Sequence, residues 1–224
     1  MSSVEDAYIL AKWKNDPAVF FQDVTGLSPS QDQKELLNEL KDLANRRFLI
    51  CSARSTGKTL TLAVIALWSA FVLPFFFKLP YRVSILSGSL EQSRELYEYS
   101  KSFLSSHSII ADQLMGEPTK REIKFKSGSW ILALPASERT VLSKHCDLLI
   151  IDEAAEKHLL DGKLIKNALP LVSASRYPRV ILSSTPYQYM SYFVDMWLDE
   201  NHVFTDYKRA SWSASSCSWI SAYE

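Results

Sequence analysis

The sequence predicts an α/β sandwich whose central sheet is mostly parallel. Short runs rich in apolar and β-branched residues alternate along the chain with longer runs that have helical periodicity. This alternation is typical of a parallel sheet with helices packed on both faces. The predicted strands are FLIC (48–51), RVSILSG (82–88), LLII (148–151) and RVILSSTP (179–186).

Helices are predicted between these strands. Apolar residues at helical spacing predict helices over 33–44, 90–104 and 159–171, the first of them after a Ser-Pro-Ser boundary. Two further β-rich runs, EIKFK and SWILAL, are separated by Ser127 and Gly128. A Gly-containing turn between two such runs predicts a β-hairpin.

One apolar segment, 60–77, is uncharged and long enough by count to cross a membrane. It follows directly on a polar loop, however, and Pro74 interrupts it. We therefore expect residues 60–73 to form a helix buried in the sandwich, and PFFF (74–77) to form an apolar turn. The N-terminus carries acids and lacks the basic-then-apolar pattern of a signal peptide, so secretion is not expected.

The segment SARSTGKT (52–59) joins the first predicted strand to the helix over 60–73. This context predicts a phosphate-binding loop, in which backbone N–H groups and the N-terminus of the next helix surround an anion. Lys58 would reach the β- and γ-phosphates, and the Thr59 hydroxyl would ligate Mg²⁺. The first glycine of the usual pattern is replaced by a serine. The residues expected to contact the nucleotide are Ser52, Ala53, Arg54, Ser55, Thr56, Gly57, Lys58, Thr59 and Leu60.

The second half of the site is predicted at DLLIIDEAAE (147–156), where an apolar strand runs into Asp152 and Glu153. Because ligands bind at the C-terminal ends of parallel strands, Asp152 is expected to hold Mg²⁺ through its water shell. Glu153 is expected to orient and deprotonate the attacking water. A chance turn or an acidic helix N-terminus explains either motif alone. Their order and their spacing of about 90 residues together predict nucleotide hydrolysis.

Composition limits the class of protein. A chain of 224 residues, 47% of them hydrophobic, buries a substantial core and predicts one large domain, alone or with a small subdomain. Its formal net charge of +0 gives no support to a broad nucleic-acid-binding surface, and the basic run 120–126 is more typical of a half-exposed strand. Three scattered cysteines argue against a disulfide framework, and the histidines show no metal-ligand spacing with them.

Several motifs occur in one order: an upstream Gln segment, a phosphate loop that contains an Arg, SLEQS (89–93), GSWILALPAS (128–137), LLIIDEA and ILSSTP. This order resembles the N-terminal packaging ATPase domain of the large terminase subunit of tailed viruses. The resemblance covers roughly residues 12 to 210, including the lead-in WKNDPAVFFQDV (13–24). It implies a P-loop NTPase sandwich of the additional-strand, helicase- and recombinase-like type.

The resemblance also implies roles for residues around the phosphate loop. Gln31 or Gln33 would read adenine, with Gln33 favoured because QKELL follows it. Arg54 matches the arginine that packaging ATPases carry within the loop, and would meet the γ-phosphate. Where relatives commonly have an Arg-Gly just before the acidic strand, this chain has Ser143-Lys144-His145. Arg139, four residues before Ser143, is a candidate finger supplied to a neighbouring subunit.

A third set of residues matches the segment that senses hydrolysis and couples it to movement: Ser183, Ser184 and Thr185. The turn chemistry of a strand end also accounts for such residues. The resemblance implies ATP and Mg²⁺ as cofactors. It implies double-stranded DNA, a viral portal and procapsid, the small terminase subunit and further copies in a ring as partners. It also implies the host cytoplasm as location, with no membrane partner.

Three regions are expected: a lead-in segment over 1–28, an ATPase domain over 29–210, and a tail over 211–224 that begins the linker to a nuclease domain absent from this chain. Nuclease activity is therefore not expected, and the isolated chain is expected to be a monomer. Two alternatives stay open. A helicase-like or other DNA-remodelling ATPase shares the core motifs but needs a second recombinase-like domain, and a nucleotide-binding assembly module has no need of Glu153.

Overall fold

The core of the structure is a seven-stranded sheet. The computed structural model describes residues 4–87, 90–134, 145–156, 159–185 and 190–213. The strands are β1 (Arg47–Ser52), β2 (Arg82–Ser87), β3 (Glu122–Lys124), β4 (Trp130–Ala133), β5 (Leu148–Asp152), β6 (Arg179–Ser184) and β7 (Tyr207–Trp212). They lie in the order β3-β4-β2-β5-β6-β1-β7, and β3 with β4 is the antiparallel pair while the other described pairs are parallel.

This sheet confirms the predicted α/β sandwich and its mostly parallel strands. Each predicted strand is present, and the predicted hairpin is the β3–β4 pair. Strand β7 was not predicted. It pairs with β1 along its whole length and continues to Trp212, two residues past the boundary expected at 210.

Helices cover both faces of the sheet. The helices are α1 (Val4–Asn15), α2 (Pro17–Thr25), α3 (Gln31–Lys41), α4 (Lys58–Phe71), α5 (Leu73–Phe77), α6 (Leu90–Ser102), α7 (Ser108–Ala111), α8 (Lys163–Ala168), which a 3-10 turn (Leu169–Val172) follows, and α9 (Tyr192–Leu198). Helices α1 to α7 contribute to the apolar cluster on one face of the sheet, and α8 and α9 contribute to the cluster on the other face.

The two faces of the sheet are buried in separate apolar clusters. In β5, Leu148 and Ile150 face the cluster that includes α1 to α4, while Leu149 and Ile151 face the cluster that includes α8 and α9. Because side chains alternate along a strand, a strand covered on both faces must be apolar throughout. This is why the run before Asp152 predicted a central strand.

Helix α4 is the buried helix that the sequence predicted. Every residue from Thr61 to Phe71 in it is buried. The stretch Lys58–Phe77 is long and apolar enough to pass as a membrane span, but 78% of its most apolar window is buried inside the protein. The prediction of a turn at PFFF was wrong: Leu73–Phe77 forms the short helix α5, since Pro74 lies in its first turn, where no N–H is needed.

The other helix boundaries follow local chemistry. Helix α3 begins at Gln31, earlier than predicted, because Ser30 caps it and the Gln33 side chain bonds back to the Ser30 backbone. The helix predicted over 159–171 is shorter, and it tightens into a 3-10 turn at Pro170, which lacks a backbone donor.

Candidate nucleotide-binding site

Three adjacent strands end at the same edge of the sheet and form the site. Strand β6 lies between β1 and β5 and is parallel to both. The phosphate loop leaves β1, the acids Asp152 and Glu153 end β5, and Ser184 ends β6. The strand inserted between the loop strand and the acidic strand confirms the additional-strand arrangement that the resemblance implied.

The phosphate loop needs left-handed backbone at two positions. Ser55 has a φ of 63° and Gly57, which caps α4, has a φ of 78°. Ser52, in contrast, is the last residue of β1 and is fully buried in regular strand pairing with Trp212. A glycine is therefore not required at position 52, because its backbone is that of a strand, which any residue adopts.

The loop borders a cavity of about 630 Å³ at the start of α4. Of the nucleotide-contact residues predicted in the loop, two do not line it: Ser52 and Thr56 are buried beneath the loop. The predicted residues that line the cavity are Ala53, Arg54, Ser55, Gly57, Lys58, Thr59, Leu60, Glu153 and Thr185.

Lys58 pairs with both acids at the end of β5. Its ammonium lies 2.9 Å from Asp152 Oδ1 and 2.5 Å from Glu153 Oε1, and its side chain is 7% exposed. Burial by itself lowers the pKa of Lys58, but the two carboxylates outweigh burial and raise it above its ordinary value. The lysine is thus held as a cation beside the cavity.

Glu153 is fixed by the residues that follow β6. Its Oε2 accepts hydrogen bonds from Thr185 Oγ1 at 2.8 Å and from the Thr185 backbone N–H at 3.2 Å. Burial raises the pKa of the Glu153 carboxyl, but Lys58 and these two bonds together hold it below its ordinary value. Its φ of 52° is rare for a residue other than glycine, and such backbone strain concentrates at functional sites.

The three residues predicted to couple hydrolysis to movement all touch this acidic pair. Ser183 Oγ donates to Asp152 Oδ1 at 2.6 Å, and Ser184 Oγ lies 3.4 Å from Glu153 Oε2. With the bonds from Thr185, the end of β6 therefore contacts both carboxylates.

The predicted metal-binding residues are oxygen donors that suit Mg²⁺. The Thr59 side chain lies in the first turn of α4 and lines the cavity. Asp152 does not line it: its side chain is 9% exposed and lies behind the Lys58 ammonium. One carboxylate with one hydroxyl fits a Mg²⁺ that is held mainly by phosphate oxygens and water, because such sites use few protein ligands.

The structure does not bring either predicted adenine-reading residue to the cavity. Gln31 is exposed and its amide donates to Glu35. Gln33 is fully buried: its Oε1 accepts from Ser30 N at 2.8 Å, and its Nε2 donates to Thr61 Oγ1 at 2.8 Å. The amide of Gln33 is therefore used to cap α3 and to hold α4, which leaves no edge to read a base.

The structure describes one of the two predicted arginines, Arg54. Arg54 is exposed on the loop and lines the cavity, and its guanidinium has no ion-pair partner within the described part of the chain. Arg139 lies outside the described residues. The exposed guanidinium of Arg54 is placed to meet an anion that enters the loop.

Sequence reasoning missed the wall of the cavity opposite the loop. This wall comes from the end of the lead-in region and from α6. No local pattern marks these residues, because the fold alone brings them beside the loop. They are Phe21, Leu27, Ser28, Glu95 and Tyr99.

Comparison with known proteins supports the fold. No protein-family model matches the chain, and no curated protein matches its sequence. Solved structures do match. The large terminase of bacteriophage HK97 has a TM-score of 0.67 at 18% identity, over 82% of this chain and 39% of that chain. The large terminase of the thermophilic bacteriophage D6E has a TM-score of 0.66 at 11% identity, over 86% of this chain and 48% of that one.

A third match is to an isolated domain. The ATPase domain of the large terminase of Thermus phage P74-26 has a TM-score of 0.67 at 17% identity, over 89% of this chain and 86% of that chain. The chain thus spans less than half the length of the two large terminases above and most of an isolated ATPase domain. Its fold is the P-loop NTPase fold of large terminase ATPase domains, as the resemblance implied.

Proposed function

We propose that this chain is the ATPase domain of a large terminase and hydrolyses ATP with Mg²⁺ to drive double-stranded DNA into a viral procapsid. The observation that carries the proposal is the cluster of Lys58, Glu153 and Thr185 at the edge of a 630 Å³ cavity, within a fold shared with terminase ATPase domains. The lysine can hold the phosphates and the acid can position the attacking water, which are two of the roles that phosphoryl transfer to water uses.

Nucleotide binding would free the Glu153 carboxylate to act as a general base. Without a nucleotide, Lys58 and Glu153 neutralise each other. A triphosphate in the loop offers the ammonium a stronger anion, so Lys58 turns to the β- and γ-phosphates. Glu153 keeps its hydrogen bonds from Thr185 and loses its cation, which leaves the carboxylate able to accept a proton from the attacking water.

Thr59 and Asp152 would hold Mg²⁺, Asp152 through a water molecule. Bound Mg²⁺ neutralises the charge that develops on the phosphate oxygens. Arg54, on the exposed side of the loop, adds a planar set of donors for the γ-phosphate.

The purine base would lie against the apolar part of the cavity. Leu27 and Tyr99 are 55% and 40% exposed there, and Phe21 lies behind them. Contact with these side chains holds a base through its face, and not through its hydrogen-bonding edge. We therefore expect Tyr99→Ala to weaken ATP and GTP binding alike, whereas Gln33 has no part in choosing the base.

The test of catalysis is Glu153→Gln. The amide keeps the shape of the side chain but cannot take a proton, so ATP binding should persist while turnover falls by roughly 10²-fold or more. Steady-state ATPase assays, with nucleotide binding measured separately, check this. Unchanged turnover would remove Glu153 from the role and would favour a nucleotide-binding assembly module.

Arg54→Ala tests the loop arginine. If the guanidinium stabilises the transferring phosphoryl group, ATP affinity should stay within a few-fold while hydrolysis falls by roughly 10³-fold. Arg54→Lys keeps the charge and loses the fork of donors, so it should recover only part of the rate. Turnover near that of the wild type in Arg54→Ala would leave the role of the finger to Arg139 or to a neighbouring subunit.

DNA translocation follows from the resemblance and needs its own experiment. We expect the isolated chain to be a weak ATPase and mostly monomeric, with poor contact to DNA, because its net charge is zero. The proposed site of packaging is the host cytoplasm, where a ring of copies on the portal would supply the missing contacts. A packaging assay with portal, procapsid and small terminase subunit tests this role. Strand separation by the isolated chain would favour the helicase-like alternative, as would tight, salt-sensitive DNA binding by the monomer.

A further inference from the structure

Trp212 ends strand β7 and touches the phosphate loop. Its indole N–H donates to Thr56 Oγ1 at 2.8 Å, and its backbone carbonyl accepts from Ala53 N at 3.1 Å. The residue is 3% exposed although β7 is an edge strand of the described sheet. Two hydrogen bonds from a strand far along the chain thus reach both the beginning and the middle of the loop.

Thr56 passes this contact on within the loop. Its hydroxyl donates to the Ala53 carbonyl at 2.7 Å while it accepts from the indole of Trp212. A hydroxyl has one donor and two acceptor positions, so both bonds are compatible. The Thr56 side chain is fully buried and does not line the cavity. The side chain therefore ties the loop together.

Gln33 holds the loop from the opposite direction. Its Nε2 donates to Thr61 Oγ1 at 2.8 Å and approaches the Thr56 carbonyl at 3.5 Å, and Thr61 in turn donates to the Gly57 carbonyl. The loop is thus tied to α3 by one buried side chain and to β7 by another. Trp212 belongs to β7, an edge strand of the described sheet that pairs with β1.

We propose that Trp212 is a positioning residue for the phosphate loop, so that docking of the end of β7 sets the affinity of the site for nucleotide phosphates. The inference rests on the proposed ATPase function. Backbone N–H groups bind a phosphate well when they already converge on it. Without the tie, residues 53–57 sample other conformations, and binding must bear the cost of ordering them.

The direct test is Trp212→Phe, which keeps an aromatic ring and loses the indole N–H. The affinities for ATP and for ADP should both fall about fivefold, the scale of one buried hydrogen bond, because the loop holds the β-phosphate in both nucleotides. Trp197→Phe is the matched control: Trp197 lies in α9, its ring stacks on Phe193, and it does not line the cavity. This control should leave both affinities unchanged.

A second variant checks that the effect passes through Thr56. Thr56→Val removes the hydroxyl while it keeps the shape of the side chain. It loses both the bond from the Trp212 indole and the bond to the Ala53 carbonyl, so it should weaken nucleotide binding at least as much as Trp212→Phe does. The double variant with Trp212→Phe should then be no weaker than Thr56→Val alone, because the indole bond is already lost in that variant. Losses that simply multiply in the double variant would contradict a shared tie.

One readout separates positioning from a purely structural role. Amide hydrogen exchange over residues 53–57 in the nucleotide-free protein should be faster in Trp212→Phe and unchanged in Trp197→Phe. A folded Trp212→Phe variant with the ATP and ADP affinities of the wild type overturns the inference.

Failure of the proposed function would look different. A wild-type chain that binds neither ATP nor ADP would overturn that function. Hydrogen exchange over residues 53–57 would then decide whether Trp212 orders the loop, and equal exchange in the wild type and in Trp212→Phe would overturn the tie as well.

Discussion

Each end of the parallel sheet holds an ion pair with a buried member beside a cavity, but only the pair at the C-terminal end lies at the phosphate loop. At the C-terminal end, Lys58 lies between Asp152 and Glu153 beside the 630 Å³ cavity. At the N-terminal end, Asp147 precedes β5 and pairs with Arg82 at 3.0 Å. Side-chain exposure is similarly low for Lys58 and Asp147, at 7% and 8%.

The difference lies in the partners. The Asp147 carboxylate also accepts from the Arg82 backbone N–H at 2.8 Å and from Ser175 Oγ at 2.6 Å, so a fixed backbone group satisfies part of it. Lys58 is held by carboxylate side chains, and rotation of the lysine side chain lets it exchange these carboxylates for phosphate. A cavity of about 400 Å³ borders Asp147 too. The comparison teaches that exchangeable partners, more than burial or a nearby cavity, distinguish a site from a structural ion pair.

The largest expected effect separates the two ends by their cations. Lys58→Ala should abolish ATP binding, because no other cation in the loop reaches the β-phosphate as the lysine does. Arg82→Ala, at the opposite end, is the matched change and should leave ATP affinity intact, since its partner Asp147 is remote from the loop. Equilibrium binding of a fluorescent ATP analogue measures both. Full affinity in Lys58→Ala would mean that the loop is misassigned.

For the free energy of unfolding, we expect a large effect at the N-terminal end of the sheet, where Asp147 lies. Asp147→Ala leaves the Arg82 and Ser175 donors without their buried acceptor, so the free energy of unfolding should fall by about 2–4 kcal/mol with ATP affinity unchanged. The control is Asp206→Ala, which breaks the exposed pair with Arg47 and should cost under about 1 kcal/mol. Urea unfolding with a constant m-value checks both. Equal decreases in the free energy of unfolding would show that the buried, hydrogen-bonded Asp147 contributes no more to stability than the exposed Asp206.

The sequence predicted the site where its signals are local. The strand before Asp152, the Gly-Lys-Thr turn and the small residues that end β6 are each readable within a few residues, and all lie where they were expected. Gln33 shows how a local signal can be misread. Its position three residues after Ser30 is a capping-box pattern, and the structure uses its amide for that cap.

Contacts made at long range left no such signal. Trp212 lies 156 residues from Thr56, and nothing in its neighbourhood indicates that it contacts the loop. Tyr99 and Leu27 likewise reach the cavity only because α6 and the end of α2 pack beside α4. Periodicity predicts that helices cover the sheet, but it does not predict which helices lie side by side. That packing decides which of many apolar residues form the wall of the cavity.

The smallest expected effect concerns the pH dependence of the exchangeable pair. Burial, the largest single influence, raises the pKa of the Glu153 carboxyl, but Lys58 and Thr185 hold it below its ordinary 4.5. Because the unfolded chain takes up this proton first as the pH falls, the stability that the ionised carboxylate contributes is fully present above about pH 4.5 and is lost as the pH drops through the folded-state pKa. In nucleotide-free protein, the stability advantage of the wild type over Glu153→Gln should therefore stay constant above about pH 4.5 and shrink as the pH falls further. Lys58→Met removes the cation, and in that background the pH dependence of the difference should decrease. Urea unfolding as a function of pH measures it, and a difference between wild type and Glu153→Gln that does not vary with pH would show that the pair contributes nothing to the stability of the nucleotide-free site.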